Sequence, residues 1–116
     1  MSYVTVKDGG DKAMKFRKVM AIFSSLELDN VEKELIGIGV PGMTISKTHG
    51  FGEYRNYYAR DSMTDCVRVE LFTDAGKANE IVDTIARTVH HGINSDGIVA
   101  VLPVEDILHI REFSEK

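Results

Sequence analysis

The amino-acid sequence predicts an α+β fold in which two helices cover one face of an antiparallel sheet. Two observations lead there. Apolar residues recur with the period of a strand, then a helix, then a strand, and the second half of the chain repeats that order. Between the halves stands HGFGEYRNYYARD, residues 49–61, which carries three tyrosines and two arginines but no aliphatic residue larger than alanine. Such a segment has nothing to bury, so it is expected outside the core.

Each element has its own signal. Residues 1–14, MSYVTVKDGGDKAM, read as a flexible leader ahead of a single domain at 15–116. RKVMAIFS, at 17–24, is a strand with apolar side chains on both faces. In LELDNVEKELIGIG, Asp29 and Glu32 have capping-box spacing. Leu28, Val31, Leu35 and Ile38 then recur at helical intervals until Gly37 and Gly39 end the helix. MTISKTH alternates from Met43 to His49 and predicts a strand with one buried face. CVRVELF, residues 66–72, is a third strand, with Val67, Val69 and Leu71 on one face and Arg68 and Glu70 on the other. TDAGKANEIVDTIARTVHHG predicts a helix capped by Thr73 or Asp74, with Ala78, Ile81, Val82, Ile85 and Val89 as its apolar stripe and Gly92 as its end. IVAVL, at 98–102, is a fourth strand, and residues 107–110 a shorter last one. The order is βαββαβ with a short extra C-terminal strand, the ferredoxin-like arrangement. Apolar side chains on both faces of the first and fourth strands predict that something covers the second face of the sheet. Another copy of the chain is the simplest candidate.

Composition narrows the function. The 116 residues carry a net charge of −4 with no block of like charges, which disfavours nucleic acid and anionic membranes as partners. The one cysteine, Cys66, lies in an apolar run and reads as a buried, inert thiol. No signal peptide and no spanning run of about 20 apolar residues is present, so the expected location is cytoplasmic.

Few residues suggest chemistry. HHGINSDG, residues 90–97, leads from a helix to a strand and places Ser95 and Asp96 among glycines. That pattern suits either a nest of backbone N–H groups for an oxyanion or an ordinary turn. His90 and His91 are neighbours at a helix end and point apart, and His49 and His109 have no partner at ligand spacing, so no metal is expected. There is no nucleophile elbow, P-loop or paired acid and base. The chain is expected not to be an enzyme.

LELDNVEKELIGIGVPGMTISKTHGFGEY, VRVEL, IVDTIARTVHHG, SDGIVAV and ILHIR resemble the PII signal-transduction proteins in order and spacing, over residues 17–111. The resemblance implies a ferredoxin-like homotrimer that binds adenine nucleotide between subunits. It also implies a T-loop, at 53–63 here, that contacts a target protein. By position, the nucleotide site would comprise Ile22, Thr44, Gly50, Gly52, Glu70 and Phe72, with Ser95, Asp96 and Gly97 from the phosphate turn and His109 and Arg111 from the last strand. Phe51, Glu53, Tyr54, Arg55, Tyr57, Tyr58 and Arg60 would form the loop surface for a partner or for bicarbonate.

The departures from the family pattern carry information. The usual phosphate turn reads Gly-Lys-Ile-Gly-Asp-Gly-Lys, and Ile93 and Ile98 stand at its two lysine positions. His109 replaces the usual arginine, leaving Arg111 as the strand cation. The T-loop is short, Tyr54 stands where nitrogen-sensing members have glutamine, and the uridylylation motif is absent. These features are similar to the PII-like, carboxysome-associated branch. They imply binding of ADP or AMP in preference to ATP, together with bicarbonate, and regulation of a bicarbonate transporter. Two alternatives stand beside this reading: a nitrogen-regulatory PII protein binding ATP or ADP with 2-oxoglutarate, and a small enzyme on the same fold, acylphosphatase-like or a slow ATPase.

Overall fold

β1 (Phe16–Ser24) is the hub of the sheet, pairing antiparallel with β3 (Cys66–Asp74) on one side and β4 (Ile98–Val104) on the other. β2 (Thr44–Thr48) adds to the outer side of β3, giving the order β2-β3-β1-β4. Helices α1 (Leu28–Gly37) and α2 (Ala75–Val89) are the two crossovers, so the predicted ferredoxin-like order is found. The structure, a computed structural model, describes residues 14–48, 65–93 and 96–115. Residues 1–13 of the leader and the loop at 53–63 lie outside those residues.

The strand alternation does what period two requires. Val19, Ala21 and Phe23 of β1 stand opposite Leu71, Val69 and Val67 of β3, and all six are at most 3% exposed. Against this face pack Val31 and Leu35 of α1 and Ala78, Ile81, Val82, Ile85 and Val89 of α2. The stripe predicted for α2 is buried residue for residue. Asp74 caps that helix, its Oδ1 accepting the Lys77 N–H at 3.1 Å. Arg17, also on the covered face, satisfies its buried guanidinium by donating to the carbonyls of Met14 and Phe16, both at 2.9 Å.

The end of α1 is a Schellman turn: the Gly39 N–H bonds to Ile36 O at 3.0 Å and the Val40 N–H to Leu35 O at 3.0 Å. Gly39 takes φ +92°, which the motif needs and glycine permits. Lys77 Nζ donates to Ile38 O at 2.6 Å and ties α2 to this helix end.

Three expectations need correction. Asp29 does not cap α1. The Ser24 hydroxyl instead accepts the Leu26 N–H at 3.2 Å and starts a 3-10 turn, Ser25–Glu27, that runs straight into the helix. Asp29 therefore sits in the first helical turn, where its charge favours the helix dipole. Met43 falls outside β2 and His49 lies outside the described residues; β2 has no buried face, and as an edge strand it leaves even Ile45 41% exposed. Residues 107–110 form no strand. β4 is the other edge, and no further segment among the described residues pairs with that stretch. The chain makes a 3-10 turn instead, Ile110–Glu112, leaving Leu108, Ile110 and Phe113 exposed.

Candidate functional site

The sheet face turned away from the helices collects the first part of the expected site. Thr44 stands opposite Glu70, which stands opposite Met20. In the next row Ser46, Arg68, Ile22 and Ile98 lie side by side, and on the other flank Phe72 pairs with Lys18 and Lys18 with Leu102. Four predicted positions, Ile22, Thr44, Glu70 and Phe72, thus share one open face, with Phe72 59% exposed. Lys18 apart, the β1–β4 half of this face is largely apolar, with Met20, Ile22, Ile98, Ala100 and Leu102; Phe72 apart, the β2–β3 half is polar and charged.

Sequence reasoning missed two members of the cluster, Lys18 and Arg68. Lys18 Nζ is 2.7 Å from Glu70 Oε2, and Arg68 Nε lies 3.8 Å from Oε1. The hydrogen bond from Lys18, followed by the charges of Lys18 and Arg68, outweighs partial burial and holds the Glu70 carboxyl below its usual range. Lys18 lies four residues before Ile22, so strand alternation places it on the same face. The cue was there, but only the register sets it beside Glu70.

At the start of β4 the turn is fixed by close backbone approach. Gly97 has φ +114°, and a Cβ there would lie 2.0 Å from the carbonyl oxygen of Ile22. Only glycine fits. Asp96 behaves differently from the expected outward nest. Its Oδ2 accepts the N–H groups of His91 at 2.9 Å, Gly92 at 2.8 Å and Ile93 at 3.4 Å. Burial pushes the Asp96 carboxyl up, but those three backbone bonds and the nearby His91 charge outweigh it, and the group stays below its usual range. The donors of residues 91–93 therefore serve the chain's own carboxylate, and an outside anion must use others. Glu27 and His91, in contact at 2.7 Å across the base of this turn, were also not anticipated as a pair.

His109 and Arg111 are exposed, at and within the C-terminal 3-10 turn rather than on a strand, and neither side chain has an ion pair among the described residues. Gly50, Phe51, Gly52, Glu53, Tyr54, Arg55, Tyr57, Tyr58, Arg60 and Ser95 lie outside the described residues. A groove of about 430 Å³ between the helices, lined by Asn30, Lys33, Glu34, Ile38, Thr84, Arg87 and Thr88, contains none of the expected positions. Cys66 is buried, and that burial, with Asp65 beside it, pushes its thiol pKa up, which suits an inert side chain. Among the described residues no cluster of three His, Cys, Asp or Glu could hold a metal ion. No helix among them is long and apolar enough to cross a membrane.

The family described as "Nitrogen regulatory protein P-II" matches residues 16–113. Nitrogen regulatory protein P-II 1 of Escherichia coli K12 is 31% identical over 106 residues, spanning 85% of this chain and 95% of that protein. Nitrogen regulatory protein P-II of Synechocystis sp. is 29% identical over 102 residues, spanning 82% and 91%. The crystal structure of Arabidopsis thaliana PII bound to citrate superposes with a TM-score of 0.72 at 29% identity, covering 87% of this chain and 85% of that one. These names denote regulators, not enzymes. With the matched region running from the start of β1 past the C-terminal 3-10 turn, the chain belongs to the P-II family of signal-transduction regulators.

Proposed function

We propose that this P-II protein is a homotrimeric, non-enzymatic sensor that binds adenine nucleotide, ADP or AMP in preference to ATP, together with bicarbonate. In this reading it regulates a bicarbonate transporter through the loop at 53–63. The observation that carries it is the open sheet face, where Ile22, Thr44, Glu70 and Phe72 lie together. Gly97 is pressed against Ile22 at its edge, and Ile98 opens β4 where the family's phosphate turn has a lysine. Loss of a cation removes a charge-assisted contact to phosphate, and each further phosphate on the ligand makes that loss larger. The exposed apolar residues Phe72 and Leu102 on the same face support burial against other protomers.

Calorimetry with AMP, ADP and Mg-ATP, each with and without bicarbonate, tests the reading. Tighter binding of AMP or ADP than of Mg-ATP, strengthened by bicarbonate, is the expected result. Tighter Mg-ATP binding, indifferent to bicarbonate, overturns it. The names of the relatives favour a second reading, a nitrogen regulator binding ATP or ADP with 2-oxoglutarate. Mg-ATP-dependent binding of 2-oxoglutarate in the same instrument would establish that one instead.

A further inference from the structure

The turn after α2 is closed around a negative charge of its own. Three successive N–H groups converge on Asp96 Oδ2, in the kind of concave array that backbone amides offer to anions. A side chain from the same turn anchors it elsewhere. His91 Nε2 lies 2.7 Å from Glu27 Oε2, in the 3-10 turn that follows β1. Two charged groups act on the His91 ring, Glu27 from that segment and Asp96 from the turn. His90 faces the same Asp96 carboxylate, Nδ1 to Oδ2 3.6 Å.

We infer that His91 is a pH-sensitive pin for this turn, holding residues 91–93 on Asp96 while it is protonated and paired with Glu27. When His91 is neutral, no cation on its ring faces Glu27 and Asp96. The turn then loses its charged tie to the 3-10 segment, and the local potential becomes more hostile to anions. The hydrogen bond to Glu27 raises the imidazole pKa, partial burial opposes it, and the charges of Glu27 and Asp96 add to the rise. The pin is therefore complete below the usual histidine value of about 6.5 and is lost as pH rises through the higher folded value. The consequence for ligands rests on the proposed role of this turn as the phosphate-binding element: affinity for an anionic nucleotide falls as pH rises.

The test follows the His91 ring resonances and hydrogen exchange of the 91–93 amides by NMR from about pH 5 to 9, which spans the interval of about pH 5 to 8 in which histidine ordinarily titrates. AMP is titrated by calorimetry over the same range. The full chain is compared with Glu27→Gln and His91→Gln. After allowance for base catalysis, exchange of the three amides should quicken severalfold with the midpoint of the His91 titration. The AMP dissociation constant should rise severalfold with the same midpoint. Glu27→Gln should move that midpoint down toward about 6.5. His91→Gln should abolish the dependence, which separates the pin from titration of the AMP phosphate itself. Amide protection that stays flat through the His91 titration overturns the inference, as does AMP affinity that stays flat while the amides respond. If AMP does not bind at any pH while the amides still follow His91, the pin stands and the nucleotide reading falls.

Discussion

Replacing Gly97 by alanine should damage this fold far more than a single methyl group suggests. The added Cβ would meet the Ile22 carbonyl oxygen at 2.0 Å and the Phe23 Cα at 3.1 Å, all of it backbone that cannot rotate away. Restoring ordinary contact of about 3.5 Å means separating the turn from β1 by about 1.5 Å. The φ of +114° is a second penalty, since a side chain in such a region costs about 1–3 kcal/mol. Separation also loosens the first pairs of the β1–β4 ladder, Ile22 with Ile98 and Ala21 with Val99. Each ladder hydrogen bond is worth about 0.5–1.5 kcal/mol net. Together these terms give about 2–5 kcal/mol, a large share of the 5–15 kcal/mol that is typical of a domain. Urea unfolding followed by circular dichroism, at one fixed protomer concentration because assembly shifts the midpoint, measures it. Gly37→Ala is the control: nothing lies within 4 Å of its Cβ, and alanine in a helix gains about 0.5–1 kcal/mol over glycine. A Gly97→Ala midpoint equal to the wild-type value would refute the close-approach argument.

Ile81→Ala, at a site 1% exposed between α2 and the sheet, should cost about 2–5 kcal/mol through lost burial and the cavity left behind. Leu26→Ala, at a residue 81% exposed, should leave the urea midpoint within error. Asp96→Asn should weaken the turn most at neutral pH. Because the folded carboxyl titrates below its usual range, its contribution is full above the unfolded value of about 3.9 and disappears as pH falls through the folded one. Unfolding curves of wild type and variant should therefore converge in acid, and a gap unchanged from pH 7 to below both values would contradict the assignment. Leu102→Glu puts a charge on the apolar half of the open face and should reduce the light-scattering mass of the assembly to that of a protomer. An unchanged mass would place the subunit contact elsewhere.

Local periodicity determined most of the architecture. Alternation along β1 and β3 and the helical spacing of Val31, Leu35, Ile81 and Ile85 specify which side chains face inward, because a strand or helix can satisfy its apolar residues in only one orientation. The expectation that Ile22, Thr44, Glu70 and Phe72 form one site came from the family resemblance alone; the register of the folded sheet puts the four on one face. Pairing between distant segments was decided only in three dimensions. Lys18 reaches Glu70 through the β1–β3 register, and Glu27 meets His91 across 64 residues, contacts that no local pattern encodes. Tertiary context also overrode two local signals. Asp29 had the spacing of a cap, but Ser24 had already opened a 3-10 turn upstream. Residues 107–110 had the composition of a strand, but a strand exists only where a neighbour accepts its hydrogen bonds, and beyond the edge strand β4 this chain supplies none among its described residues. Asp96 shows the same limit at the scale of one side chain. Its place among glycines suits either a nest for an anion or an ordinary turn, and only the folded turn shows that the N–H groups of residues 91–93 donate to Asp96 itself.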